Sequence, residues 1–351
     1  TEDVLWRPYG FRDAVHRIHH QYAALGVPSN VSLVEDITPH GYTPKLRRAI
    51  FEWFNRHLKG DDAPVTDDVT EHVEPEENLW VFGGNLPGED RMGQVDTLLV
   101  ARPQRPAGIS PVDWPAYQAS KLRALRETTF GQVPAIPSPT LGEYRADGTT
   151  SSDPGTGLVV GTHVFETEDG LCLHIRTANP VSAEASFPTM VYAVDPDARS
   201  AFAGGGASRP AVPTGVATAG VEVRNTAATS VGPGYLWTMR RALPLLGQTL
   251  PERQIFDLLQ GVAVLRRQRT TGPLVLFGKG HTAVLAIYAA LLDQTISELL
   301  IAEPPATHES PDAPELLGIL RVGDLPENLA LVYPRPITFV GAMPEAYAWT
   351  K

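Results

Sequence analysis

The chain is short of cysteine, short of positive charge, and without a long apolar run. Cys172 is the single cysteine in 351 residues, so no internal disulfide can form. Within the strand-like run 171–175 it reads as a small buried hydrophobe with no partner set for a metal. Lys and Arg number 29 against 40 Asp and Glu, a net charge of -11, and no basic cluster offsets it. Nucleic acid and anionic membrane surfaces are therefore not expected as partners. The longest apolar run, residues 283–292, is about half of the roughly 20 residues that span a bilayer. No signal-peptide pattern opens the chain, which starts Thr-Glu-Asp and reads as trimmed or cut from something longer. Its compartment stays open, secretion included. What is present is a hydrophobic share of 42% and a charged share of 20%, the balance of a soluble globular protein. The length suggests about two domains.

The stretch 271–293, TGPLVLFGKGHTAVLAIYAALLD, organises the rest. A short apolar run ends in Gly278-Lys279-Gly280 and continues as an apolar helix with Ala283, Ala286, Ala289 and Ala290 on its close-packed side. Strand, tight turn and helix in this order resemble the nucleophile elbow of the α/β-hydrolases, G-x-S-x-G. Gly280 stands at the serine position, and Gly278 and Thr282 occupy the two glycine slots. Glycine tolerates a left-handed turn that strains serine, so this elbow is expected to pack a sheet rather than to carry a nucleophile.

Residues 1–60 read as helix, strand, helix. Phe11, Val15, Ile18, Tyr22 and Leu25 form one apolar stripe that Gly26 ends, Val31–Val34 is a short strand, and Thr43 caps a second helix with Pro44 in its first turn. Leu46, Ile50, Trp53, Phe54 and Leu58 supply that helix's apolar side. Between strand and helix lies TPHGY, which puts His40 in a loop that can aim an imidazole at a nucleophile. His16, His19 and His20 have i, i+3, i+4 spacing, but they fall off the stripe and read as a wet helix face rather than as metal ligands.

The segment EDITPHGYTPKLRRAIFEWFNRHLKG resembles the C-terminal end of the catalytic domain in acetyl xylan esterase and dienelactone-hydrolase-like α/β-hydrolases. The resemblance implies His40 as general base and Asp3 as the acid in the loop before it, with Glu2 a competitor for that role. It also implies a serine upstream of residue 1, in an N-terminal hydrolase portion not contained in this chain. No metal or organic cofactor is needed for such chemistry. The implied substrate is an ester or an acetylated carbohydrate.

Acidic and proline-bearing stretches fill residues 61–155, with one helix expected over 111–129, and YRADGTTSSDPGTG (144–157) is the clearest boundary. Residues 156–351 read as a second, degenerate hydrolase module of a tandem protein. A hairpin turns across Asp169-Gly170, strands run over 187–194, 216–225, 273–277, 296–302 and 336–340, and helices lie between. Gly341, Ala342 and Met343 stand where the acid would follow the last strand. Glu303 and His308 lie near the sheet edge with no hydroxyl on Gly280 to activate. The amide of His281 is the candidate oxyanion donor, and a second would come from the loop after Val194. The fold class expected is α/β, a doubly wound, mostly parallel sheet of the α/β-hydrolase type with an irregular proline-rich linker region. The functional expectation is an ester hydrolase with weak or no activity alone. The alternative is a non-catalytic scaffold or carbohydrate-contacting module, for which Trp80, Trp114 and Trp237 could stack on sugars, although core packing is the commoner use of each.

Overall fold

A computed structural model describes residues 7–69, 72–133, 145–146, 151–153, 158–168, 170–180, 187–195, 216–226, 229–267 and 271–350. The chain divides into two compact units, Thr1–Gly93 and Gln94–Lys351.

In the first unit, α1 (Pro8–Ala24) and α2 (Pro44–Phe54) each begin on a proline at the first turn, where the missing N–H is no loss. Thr43 caps α2 by accepting the Leu46 N–H at 3.3 Å. A π-helical turn, Asn55–Lys59, ends at Gly60 with φ +67. The strand expected at 31–34 is absent: Val31 is extended, but residues 31–34 pair with no strand among the described residues. A strand exists only by its ladder. Val15, Ile18, Tyr22, Leu33, Leu46 and Trp53 line an apolar hollow of about 570 Å³ in this unit. None of the unit's described residues is buried. A helical turn, α3 (Glu76–Leu79), completes it.

The second unit opens with α4 (Val95–Leu99) and α5 (Trp114–Thr128). α5 lies within the proline-rich stretch expected to link domains, yet its Leu125 is buried in the core together with Phe130 and Val133. Gln118 of α5 donates to the Leu331 and Tyr333 carbonyls at 2.8 and 2.6 Å. The strands are β1 (Arg145–Ala146), β2 (Ser151–Asp153), β3 (Leu158–Glu168), β4 (Leu171–Pro180), β5 (Phe187–Ala193), β6 (Ala217–Val221), β7 (Thr271–Lys279), β8 (Glu298–Ala302) and β9 (Ile337–Phe339). Among the described residues they form one sheet in the order β1-β3-β4-β6-β5-β7-β8-β9, with β2 also on β3. Pairing is antiparallel from β1 to β6 and parallel from β6 to β9. β1 and β2 fall inside the stretch 144–157 and are too short to leave any periodic signal. Gly170 takes φ +76 in the β3–β4 turn; Asp169 lies outside the described residues.

Helices α6 (Pro233–Ala242), α7 (Leu250–Arg266), α8 (His281–Leu292) and α9 (Leu325–Ala330) follow. α7 packs on β3, β5, β6 and α8, and α8 packs on β5, β7 and β8. Every α8 residue from Thr282 to Leu291 is buried. Each of Val284, Leu285, Ile287 and Leu291 contributes about 1.5–3 kcal/mol by leaving water. α7 is tied to the hairpin by the wholly buried Asp257, which accepts from Thr167 Oγ1, the Arg224 N–H, Nε and Nη2 at 2.7–2.8 Å. A buried carboxylate persists only when its lone pairs are filled in this way.

One expectation is corrected here. Cys172 is exposed, because side chains alternate along β4: Leu173 and Ile175 take the buried face and Cys172 the other.

Behind β8 the loops close on a buried polar chain. Tyr288 Oη donates to His308 Nε2 at 2.6 Å and accepts from Asn328 Nδ2 at 2.9 Å. Asp324 accepts the His308 N–H at 2.8 Å and the Thr307 hydroxyl at 2.5 Å. Burial pushes the His308 imidazole down to about 4, the Asp324 charge opposing only in part. Neutral His308 is thus favoured by the fold. The stability it contributes is fully present above its unfolded value near 6.5 and is lost as pH falls from there toward 4. A shift of this size corresponds to about 3 kcal/mol. Urea unfolding at pH 7.0 and 4.0 is expected to show that loss in the wild type and a much smaller one in His308→Gln; equal losses would assign the acid sensitivity to other groups.

Candidate functional site

The elbow exists because one side chain is missing. A Cβ on Gly278 would lie 2.4 Å from the Thr282 carbonyl oxygen and 2.6 Å from Ala283 Cα, so only glycine lets the first turn of α8 press against the end of β7. Thr282, in the second glycine slot, closes the turn with its hydroxyl: Oγ1 accepts the Lys279 N–H and donates to the Lys279 carbonyl, both at 3.0 Å. Gly280 takes φ 53 and ψ -122 as the cap of α8, and its N–H continues the ladder to the Ala302 carbonyl at 3.0 Å. A Cβ there would meet nothing within 4 Å. The position has the geometry of a displayed side chain and no side chain to display.

Around this point, His281 is the first residue of α8. Its Nε2 lies 3.5 Å from Gln254 Oε1. Lys279 Nζ pairs with Glu303 at 3.2 Å. Glu303 has φ +47, unusual for a residue with a Cβ. His308 is committed to the buried Tyr288 chain and does not face the elbow as a base. Of the loop after Val194, where the second oxyanion donor was expected, residues 196–200 lie outside the described residues.

His40 belongs to the first unit, in an exposed loop tied at both ends. Arg12 Nε donates to Glu35 at 2.7 Å. Thr43 Oγ1 donates to Asp36 at 2.5 Å, and Asp36 accepts the Ile37 N–H at 3.0 Å. Arg47 donates to the Tyr42 carbonyl and pairs with Asp68. The Thr43 hydroxyl holds the Asp36 carboxyl below its ordinary range, and Arg12 does the same for Glu35. Asp3 and Glu2 lie outside the described residues. His16, His19 and His20 are exposed on α1. Of the tryptophans, Trp114 packs against the core, while Trp80 and Trp237 are 48% and 57% exposed. The Arg241 guanidinium lies 4.4 Å from the Trp237 ring centre.

A second constellation at the same end of the sheet was not foreseen. β6 ends at Val221, opposite Ile175 of β4. The next pair across the strands, Glu222 and His174, joins through Nδ1 and a carboxylate oxygen at 2.6 Å. Glu222 is buried, and it also accepts the His174 N–H at 3.1 Å. The two residues are 48 apart in the chain, so no local motif could announce them.

No family model matches the chain, and no curated protein matches it. Solved structures do. A protein from Bacteroides fragilis NCTC 9343, named for a proposed acetyl xylan esterase activity, is similar at TM-score 0.53 and 13% identity, over 70% of this chain and 73% of that one. A glucuronoyl esterase from Solibacter usitatus is similar at TM-score 0.48 and 12% identity, over 69% of this chain and 79% of that one. The first of these likenesses is one of fold: the chain has an α/β-hydrolase-type sheet.

The two glycines of the elbow separate packing from strain. Gly278→Ala must move backbone atoms, whereas Gly280→Ala adds only the cost of a side chain at an unfavourable φ, about 1–3 kcal/mol. Chemical denaturation is expected to show Gly278→Ala the more destabilised of the two; the reverse order would mean that the helix approach at Gly278 yields easily.

Proposed function

We propose that this chain is a carboxylic-ester-hydrolase-type protein with weak or no turnover of its own. On this reading His40 has the role of base and Asp3 that of its acid, while in the second unit Gly280 stands at a degenerate nucleophile position and the His281 amide at that of an oxyanion donor. The observation that carries the reading is Gly280 itself, which has an elbow's backbone angles and open space where a hydroxyl would project. Acyl transfer by such a site needs an oxygen or sulfur nucleophile within reach of its base, and glycine supplies none. The ester class rests on the resemblance around His40 and on the likeness of fold to a protein named as an acetyl xylan esterase. An acetylated carbohydrate is the substrate class that follows.

A second reading, a carbohydrate-contacting module without turnover, is favoured by Trp237 and Trp80, which remain largely exposed rather than entering the core. Exposed indoles offer the flat apolar face on which sugars stack.

The purified chain is expected to turn over p-nitrophenyl acetate in the steady state no faster than His40→Ala. Stoichiometric labelling of a serine by a fluorophosphonate, with loss of turnover, would overturn the proposal by revealing a nucleophile.

A further inference from the structure

The face of β4 turned away from the core carries a thiol and an imidazole in succession, and Glu222, just past the end of β6, sets a buried carboxylate against the imidazole. Cys172 and His174 are two residues apart on one strand, which places their side chains on the same face with Cα atoms about 6.6 Å apart. The thiol is free and exposed. His174 is 32% exposed at its side chain and Glu222 1%. The Nδ1 contact to Glu222 at 2.6 Å fixes the ring: with the Glu222 carboxylate ionised, Nδ1 carries the proton and Nε2 is the basic nitrogen. Nε2 has no hydrogen-bond partner among the described residues. A buried carboxylate on one ring nitrogen and an open lone pair on the other is the arrangement that makes histidine a general base, because the carboxylate orients the ring and stabilises the imidazolium that forms.

We propose that Cys172, His174 and Glu222 form a reactive-thiol site that takes carbon electrophiles bearing a leaving group, a modification centre separate from the elbow and independent of the ester-hydrolase reading. His174 Nε2 removes the Cys172 proton. The thiolate forms the S–C bond as the bond from carbon to the leaving group breaks, that group departs with its electron pair, and the imidazolium returns its proton to solvent. Glu222 acts through His174 and is a positioning residue. No hydrogen bond joins the sulfur to Nε2 in this structure, and the transfer requires the thiol to turn toward the ring, directly or through a water. Other charged and titratable groups share the face. Glu166 stands across from Cys172 and opposes the thiolate, although its Oε1 already accepts the Gly170 N–H at 2.7 Å. Arg176 follows His174 on the same face and favours the thiolate. The Tyr192 ring lies over Gly220, which pairs with Arg176.

The test is carbamidomethylation of the full chain by iodoacetamide from pH 5.5 to 9.5, read by intact mass and peptide mapping, in wild type, Cys172→Ser, His174→Ala and His174→Gln. One adduct per chain on Cys172 is expected, absent in Cys172→Ser. Both His174 variants should react at least tenfold more slowly than the wild type at pH 6.5. Glutamine keeps bulk and hydrogen bonding but supplies no base, so it must behave like alanine. His174 lies at a partly exposed strand position, and circular dichroism will confirm that both variants fold. A wild-type profile that coincides with either variant's would overturn the proposal.

Discussion

The contact on which the second unit depends is the meeting of two backbones at Gly278 and Ala283. With no Cβ at residue 278, the start of α8 lies directly on the end of β7, and α8 sinks into the sheet until all its middle residues are buried. The alanines on its inner side repeat the same economy along the helix. A methyl group at the strand end would hold α8 off β5, β7 and β8 together, because a packed interior transmits a displacement instead of absorbing it.

From that seat the chemistry of the sheet edge divides. At the elbow, Thr282 closes the turn, Gly280 takes the strained angles with open space beside its Cα, and Lys279 turns to Glu303. Beyond β5, His174 of β4 and Glu222, just past the end of β6, meet across the strands, the Glu222 N–H donating to the His174 carbonyl and the Glu222 carboxylate accepting the His174 N–H. One location offers backbone geometry without a reactive atom, the other reactive atoms without an elbow. Likeness of fold speaks to the first and is silent on the second, since function lives in sites placed on a fold and not in the fold itself.

The parts legible in the sequence were those whose signal is local. The run from Leu274 into the α8 helix, the hairpin across Gly170 and the Thr43 cap each declare themselves within a dozen residues, and each formed where expected within a few positions. Residues 31–34 show the opposite case, since a valine-rich tetrapeptide has strand propensity but a ladder needs a neighbour. Cys172 was misjudged because its run looked uniformly apolar, and only the alternation with Leu173 and Ile175 decides which face it takes. The His174–Glu222 pair depends on the register between β4 and β6. A histidine in an alternating strand and a glutamate just past a buried one were the visible hints, and nothing local aligns them. For His40, the loop's tethers through Arg12 and Arg47 are ion pairs reaching 23 and 21 residues along the chain, which periodicity does not record, beside the shorter Thr43 link to Asp36.

The unequal burial of the two units has a consequence for how the chain breathes. An amide deep in α8 exchanges its hydrogen only when much of the sheet opens, at close to the global free energy, whereas α1 and α2, with no buried side chain between them, are held by local hydrogen bonds and ion pairs and open for far less. The molecule therefore has no single resistance to a protease. Cuts made through brief openings should fall first before Gln94, leaving the sheet and its core helices as the resistant fragment.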